Sequence, residues 1–225
     1  MSRLISRGKC VFCGQSFTRN VIARHLVACQ QRSVAQQETP AGRDPLQSVQ
    51  MMQLLVSGGR NYWLYIELPA DTTLKRLDQF LRNIWLECCG HLSAFRLGGK
   101  QNRWIFEVNE LSMSRKIKTV FRPDVLIQHE YDFGSTTTLE LKYVTERKTE
   151  VRGFEIILLA RNEPPSYKCA ECDQPAARIC SNCDNGWLCD DHAKSHACGE
   201  EMQLPVVNSP RVGVCGYSGS MDYDD

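Results

Sequence analysis

A chain of 225 residues with 42% apolar content and a formal net charge of +1 supports one medium core with small attachments and excludes two large domains. No window approaches the ~18 consecutive apolar residues of a membrane span, and the start MSRLISRGK lacks the apolar run of an export signal, so a cytoplasmic chain with no membrane partner is expected. Twelve cysteines in such a chain stay reduced, and Cys-x-x-Cys pairs then favour metal over disulfides.

The charge is unevenly spread. Residues 1–32 carry Arg3, Arg7, Lys9, Arg19, Arg24 and Arg32 and no acid, whereas 166–225 carry four basic and ten acidic side chains. Two ends of opposite sign suggest two different partners.

The stretch KCVFCGQSFTRNVIARHLVACQ places Cys10 and Cys13 two residues apart, then His25 and Cys29 as His-x3-Cys. A Cys-x-x-Cys turn presents two thiolates, and residues four apart share a helix face, so the four suit one tetrahedral zinc. Phe17, Ile22 and Leu26 would form the small core of this finger, residues 1–32. If its helix entered a DNA groove, Thr18, Val21 and Arg24 would take the reading positions, and the six cations suit phosphate contact.

Residues 33–50, rich in Gln, Ser, Pro and Gly, read as a linker. From Met51 to about Asn162 and Glu163 the texture is that of an α+β domain with a mostly antiparallel sheet and one main helix. YWLYIEL (62–68) reads as a strand, and Leu74, Leu77, Leu81, Ile84 and Trp85 recur at helical spacing behind the capping candidates Asp71 and Thr72. Residues 91–97 and 103–109 flank GGKQN as a hairpin, 125–133 and 137–147 form another around Gly134, and 153–160 reads as a buried strand. Lys100 lacks the Gly and Ser/Thr partners of a phosphate loop. Cys88, Cys89 and His91 at the end of the helix read as packing, with the adjacent cysteines pointing apart; Cys215 and His129 are likewise structural.

Two prolines in ARNEPPSY end the domain. The module 166–200 then supplies Cys169, Cys172, Cys180, Cys183, Cys189, His192, His196 and Cys198, enough for two zinc sites. A cross-brace would join Cys169 and Cys172 to Cys189 and His192, and Cys180 and Cys183 to His196 and Cys198; a sequential pairing is the alternative. The remainder, 201–225, ends in the acidic GYSGSMDYDD, expected to be disordered. Three zinc ions are expected in all. Each has four protein ligands and no position left for a reacting water, so the zinc reads as structural and the chain as non-enzymatic. Neither His91 nor His129 begins the His-x-Glu of a nucleobase deaminase.

The runs TLKRLDQFLRNIWLECCGHLSAFRLGG and YDFGSTTTLELKY, with PVVNSPRVGVCGY after a cysteine cluster, resemble the pRiA-type plasmid open-reading-frame-three-like family, also labelled insertion-element passenger or resolvase-like, in its zinc-bearing branch. That resemblance spans about 51–217 and implies an α+β fold and the company of a mobile element. The second cluster is similar to B-box and AN-one-type fingers, which implies a protein partner for the acidic end. The opening finger has the ligand spacing of ubiquitin-binding fingers, with Val27 where those carry an acidic contact residue. The expectation is thus a nucleic-acid-binding accessory protein, with a zinc-stabilised adaptor for ubiquitin-like or other proteins as the alternative and an enzyme of unknown reaction as a third reading.

Overall fold

The computed structural model describes residues 6–37, 47–98, 110–151 and 155–220. Arg3, Lys100, the arm 103–109, the middle of the expected linker and the last five residues lie outside the described residues. The chain divides into two compact units, one drawn from 1–80, 93–130 and 138–163, the other from 81–92, 131–137 and 164–225.

In the first unit, β1 (Arg7–Cys10) and β2 (Ser16–Thr18) form a hairpin, followed by α1 (Arg19–Ala28) and α2 (Gln30–Gln37). Then come β3 (Gln47–Gly58), β4 (Tyr62–Pro69), α3 (Leu74–Leu81), β5 (Ser93–Gly98), β6 (Glu110–Leu111), α4 (Ile117–Val120), β7 (Leu126–Tyr131), β8 (Thr137–Val151) and β9 (Ile157–Asn162). These strands make one sheet in the order β2-β1-β9-β4-β3-β8-β7-β5-β6, with antiparallel ladders wherever β1–β2, β1–β9, β4–β9, β3–β4, β3–β8 and β5–β6 meet. The fold is α+β with a mostly antiparallel sheet.

All eight residues of β4, YWLYIELP, are buried, the signature of a strand covered on both faces. β3 begins at Gln47, inside the expected linker, because the fifteen-residue β8 ladders it from Gln47↔Val151 onward. Its polar start QSVQ hides the strand from any pattern of apolar residues, and α2 likewise occupies expected linker.

The finger is also not a separate bead. β1 pairs with β9 at Gly8↔Asn162, Lys9↔Arg161 and Cys10↔Ala160, so the hairpin that carries Cys10 extends the central sheet. The approach is close enough to demand glycine: a Cβ on Gly8 would lie 2.3 Å from the Arg161 carbonyl oxygen and 2.4 Å from the Trp63 ring. Above it Cys10, Ile22, Leu26 and Cys29 share one buried cluster with Trp63, Tyr65, Leu159 and Ala160. A buried charge network fastens the same region. Glu67, 2% exposed, receives Arg32 at 2.7 Å on Oε1 and Arg147 at 2.7 Å on Oε2, while Arg32 also donates to the Leu26 carbonyl near the C-terminus of α1.

The second unit contains β10 (Arg178–Cys180), β11 (Trp187–Leu188), α5 (Asp190–Lys194), a short 3₁₀ turn (Glu200–Met202) and β12 (Gln203–Pro205), the strands ordered β11-β10-β12. The apolar cluster packed on these strands, Cys180, Leu188 and Ala193, is small. The unit also holds the π-helical turn Arg82–Leu86 that continues α3, and there Trp85 donates to the Asn208 carbonyl and accepts Ser209 Oγ on its own carbonyl. The C-terminal segment is ordered further than expected: Tyr217 is buried, and Ser220 donates to the Asn83 carbonyl.

Candidate metal centres

Among the described residues four groups of three cysteines and one histidine each bring their donor atoms within 4.8 Å of one another, and every cysteine is a free thiol. Zinc bonds of about 2.3 Å to sulfur and 2.0 Å to nitrogen, arranged tetrahedrally, set S–S edges near 3.8 Å and S–N edges near 3.5 Å. That gives a test of fit for each group.

The first comprises Cys10, Cys13, His25 and Cys29. β1 delivers Cys10, and the turn closed by Gly14 N–H onto the Cys10 carbonyl delivers Cys13. α1 carries His25 and ends at Cys29, which takes extended backbone angles at the cap. Cys10 and Cys29 sulfurs lie 3.9 Å apart, Cys13 sulfur and His25 Nε2 3.3 Å, and Phe17 stacks on the histidine ring at 4.2 Å. Burial pushes the Cys10 thiol up to about 11, so without a cation this buried group would stay protonated.

The second and third share the module 166–200 as interleaved pairs: Cys169, Cys172, Cys189 and His192, then Cys180, Cys183, His196 and Cys198. In the second, Cys172 and Cys189 sulfurs are 3.8 Å apart and His192 Nδ1 lies 3.4 Å from Cys169 and 3.3 Å from Cys189. His192 Nε2 faces Glu171 at 3.8 Å, a carboxylate behind the ligand of the kind that orients metal-bound histidines. In the third, Cys183 lies 3.7 Å from Cys198 and 3.5 Å from His196 Nε2. Burial opposes ionisation of Cys169, yet the amides of Cys189, Glu171 and Cys172 outweigh it and hold that thiol at about 6. Cys180 is held at about 7 against burial by the Asn182 amide and by His196. Backbone N–H groups aimed at sulfur thus prepare thiolates for a cation.

The fourth group brings together Cys88, Cys89, His91 and Cys215, which the sequence offered as separate packing residues. The adjacent cysteines do not point apart: their sulfurs lie 3.6 Å from each other, because the helix ends in a π turn and Gly90, at φ +77°, folds the chain back. Its signal in the sequence is arithmetic. Of twelve cysteines and five histidines, three Cys₃His sites consume nine and three, which leaves Cys88, Cys89 and Cys215 with His91 and His129. His129 belongs elsewhere, fully buried against Phe95 and held by Asp78 at 2.7 Å.

The cations named from the sequence separate. Arg7 and Lys9 project from the exposed side of β1, Arg7 donating to Ser16; Arg19 starts α1, and Arg24 is exposed on its outer face. Arg32 is 6% exposed and committed to Glu67, which removes it from any phosphate-facing set.

No family model and no curated protein matches the chain. Among solved structures it is similar to a protein of unknown function from Methanosarcina mazei Go1, with 13% identity and a TM-score of 0.39 over 49% of this chain and 69% of that one.

Proposed function

We propose that this chain is a non-enzymatic, zinc-scaffolded binding protein whose N-terminal finger grips nucleic-acid phosphates, acting as an accessory factor of a mobile element. The observation that carries the reading is charge left uncommitted. None of Arg7, Lys9, Arg19 and Arg24 forms an ion pair with a described residue, and residues 1–32 contain no acidic side chain to neutralise them locally. Cations held without a carboxylate on a rigid sheet-backed hairpin and helix suit a polyanion, whose counterions they release. The mobile-element setting rests on the plasmid-family resemblance, and the non-enzymatic reading on closed Cys₃His ligand sets, which leave no coordination position for a reacting water.

A protein-binding reading has its own support: Val21, Val27 and Val34 are 40%, 74% and 52% exposed on α1 and α2. The discriminating experiment measures duplex and single-strand binding at several salt concentrations for the wild type, Arg19→Ala/Arg24→Ala and Val21→Ser/Val27→Ser. Phosphate binding predicts that the arginine variant has weaker affinity and that its log–log salt slope flattens by about 0.9 for each phosphate no longer neutralised. Equal binding by all three, or none by any, discards the nucleic-acid reading.

A further inference from the structure

We propose that Cys88, Cys89, His91 and Cys215 form a fourth zinc site, the one most open to solvent, which clasps the C-terminal segment onto the turn that follows the π helix. The inference is independent of what the finger binds.

The edges fit. His91 Nε2 lies 3.0 Å from Cys89 sulfur and 3.2 Å from Cys215 sulfur; Cys89 lies 3.8 Å from Cys215 and 3.6 Å from Cys88. These lengths resemble those in the other three groups and are far from the ~2.05 Å of a disulfide. His91 Nε2 converges on the same point as the thiols, with the Asp132 carboxylate 3.6 Å away beside it.

The ligand loop is also fixed in advance. Glu87 accepts the Gly90 amide at 2.6 Å and the Tyr131 hydroxyl at 3.0 Å, Arg82 donates to Glu87 and to the His91 carbonyl, and the His91 amide donates to Tyr131. On the opposite side Cys215 itself adopts φ +48° between Gly213 and Gly216, and Asp132 adopts φ +64°. Left-handed backbone at a residue other than glycine is strained and persists where the surroundings over-determine it. Two of the three such residues in the described chain stand at this one place. Zinc with three thiolates carries one net negative charge, and the fully buried Arg211, ion-paired with Asp132 at 2.6 Å, also donates to Cys88 sulfur at 3.5 Å.

Exposure sets this site apart. Cys89 and Cys215 are exposed, and none of the four ligands is fully buried, whereas each of the other groups keeps at least one sulfur buried. A chelator reaches this metal first. Because Cys215 lies 124 residues from His91, the ion would close a long loop around the segment that already holds Asn208, Ser209 and Arg211.

The test counts zinc by elemental analysis and native mass spectrometry on the full chain, purified reduced and loaded with zinc. Four ions per chain are expected, falling to three in Cys215→Ser and in His91→Ala. Because a substituted chain can fail to fold, the wild type alone supplies a second measurement: under a competing chelator, one equivalent should leave faster than the rest, with trypsin then cutting after Arg211. Three ions in the wild type, four retained in both variants, or release without a distinct fast equivalent overturns the proposal.

Discussion

Glu67 shows how much one residue holds. It is a carboxylate 2% exposed in a central strand, compensated by two guanidiniums that come from α2 and β8. Breaking a buried pair leaves the remaining charges desolvated, which costs about 3–5 kcal/mol. Glu67→Gln is therefore expected to lower urea stability by that amount. Arg32→Met should lower it less, because Arg147 continues to neutralise the carboxylate; an equal loss from both variants would mean Arg147 carries none of the charge. Gly8 is a comparable case made of shape. An added methyl meets a backbone oxygen and an indole, neither of which is a flexible chain end, so Gly8→Ala should destabilise by about 1–3 kcal/mol, read as a lowered thermal midpoint. Neither residue declares itself in the sequence. A glutamate near the end of an aromatic strand looks like an edge charge, and a glycine before Lys9 looks like a turn.

At the scale of elements, legibility follows the range of the interaction. The helix through Leu74, Leu77, Leu81, Ile84 and Trp85 is readable because its own periodicity records the buried face, and all five are fully buried. The finger and the interleaved pairs are readable because ligand spacing is local. β3 escapes because its first residues are polar and its partner β8 lies some ninety residues away; the β1–β9 ladder escapes for the same reason, as does Cys215. This distinction has a consequence for metal removal. The module 166–200 packs little apolar surface on its three-stranded sheet and would depend on ions held by its two interleaved ligand sets, so chelation should abolish amide protection in β10, β11 and β12. β1 has the ladder to β9 as a support besides any ion that Cys10 would help to hold. Hydrogen exchange after chelation should therefore show α1 loosened while β4 and β9 stay protected. Loss of protection in β4 would make the central sheet a metal-dependent fold.

At the scale of the whole molecule the net charge of +1 conceals a polarity that metal deepens, since each zinc with three thiolates adds one negative charge and three of the four candidate sites lie in the acidic second unit. The lysines report on that polarity one by one. Lys9 is exposed on β1 with no ion pair to a described residue, whereas Lys168 and Lys194 in the second unit are paired with Asp173 and Asp191 at 2.8 and 3.1 Å. A polyanion is drawn to the first environment and repelled from the second, because the field of the surrounding carboxylates acts on it before the two surfaces touch. Amine-reactive footprinting of the zinc-loaded chain, with and without duplex DNA at low salt, measures this directly. Lys9 should be protected and Lys168 and Lys194 left as reactive as in the free protein, and the protection should fade as salt rises, since screening weakens exposed charges first. Protection of Lys168 or Lys194 in preference to Lys9 would place the nucleic acid on the acidic unit and remove the charge argument altogether. Unchanged reactivity at all three, in a sample where binding is independently seen, would assign the nucleic acid to a surface other than the finger's strand.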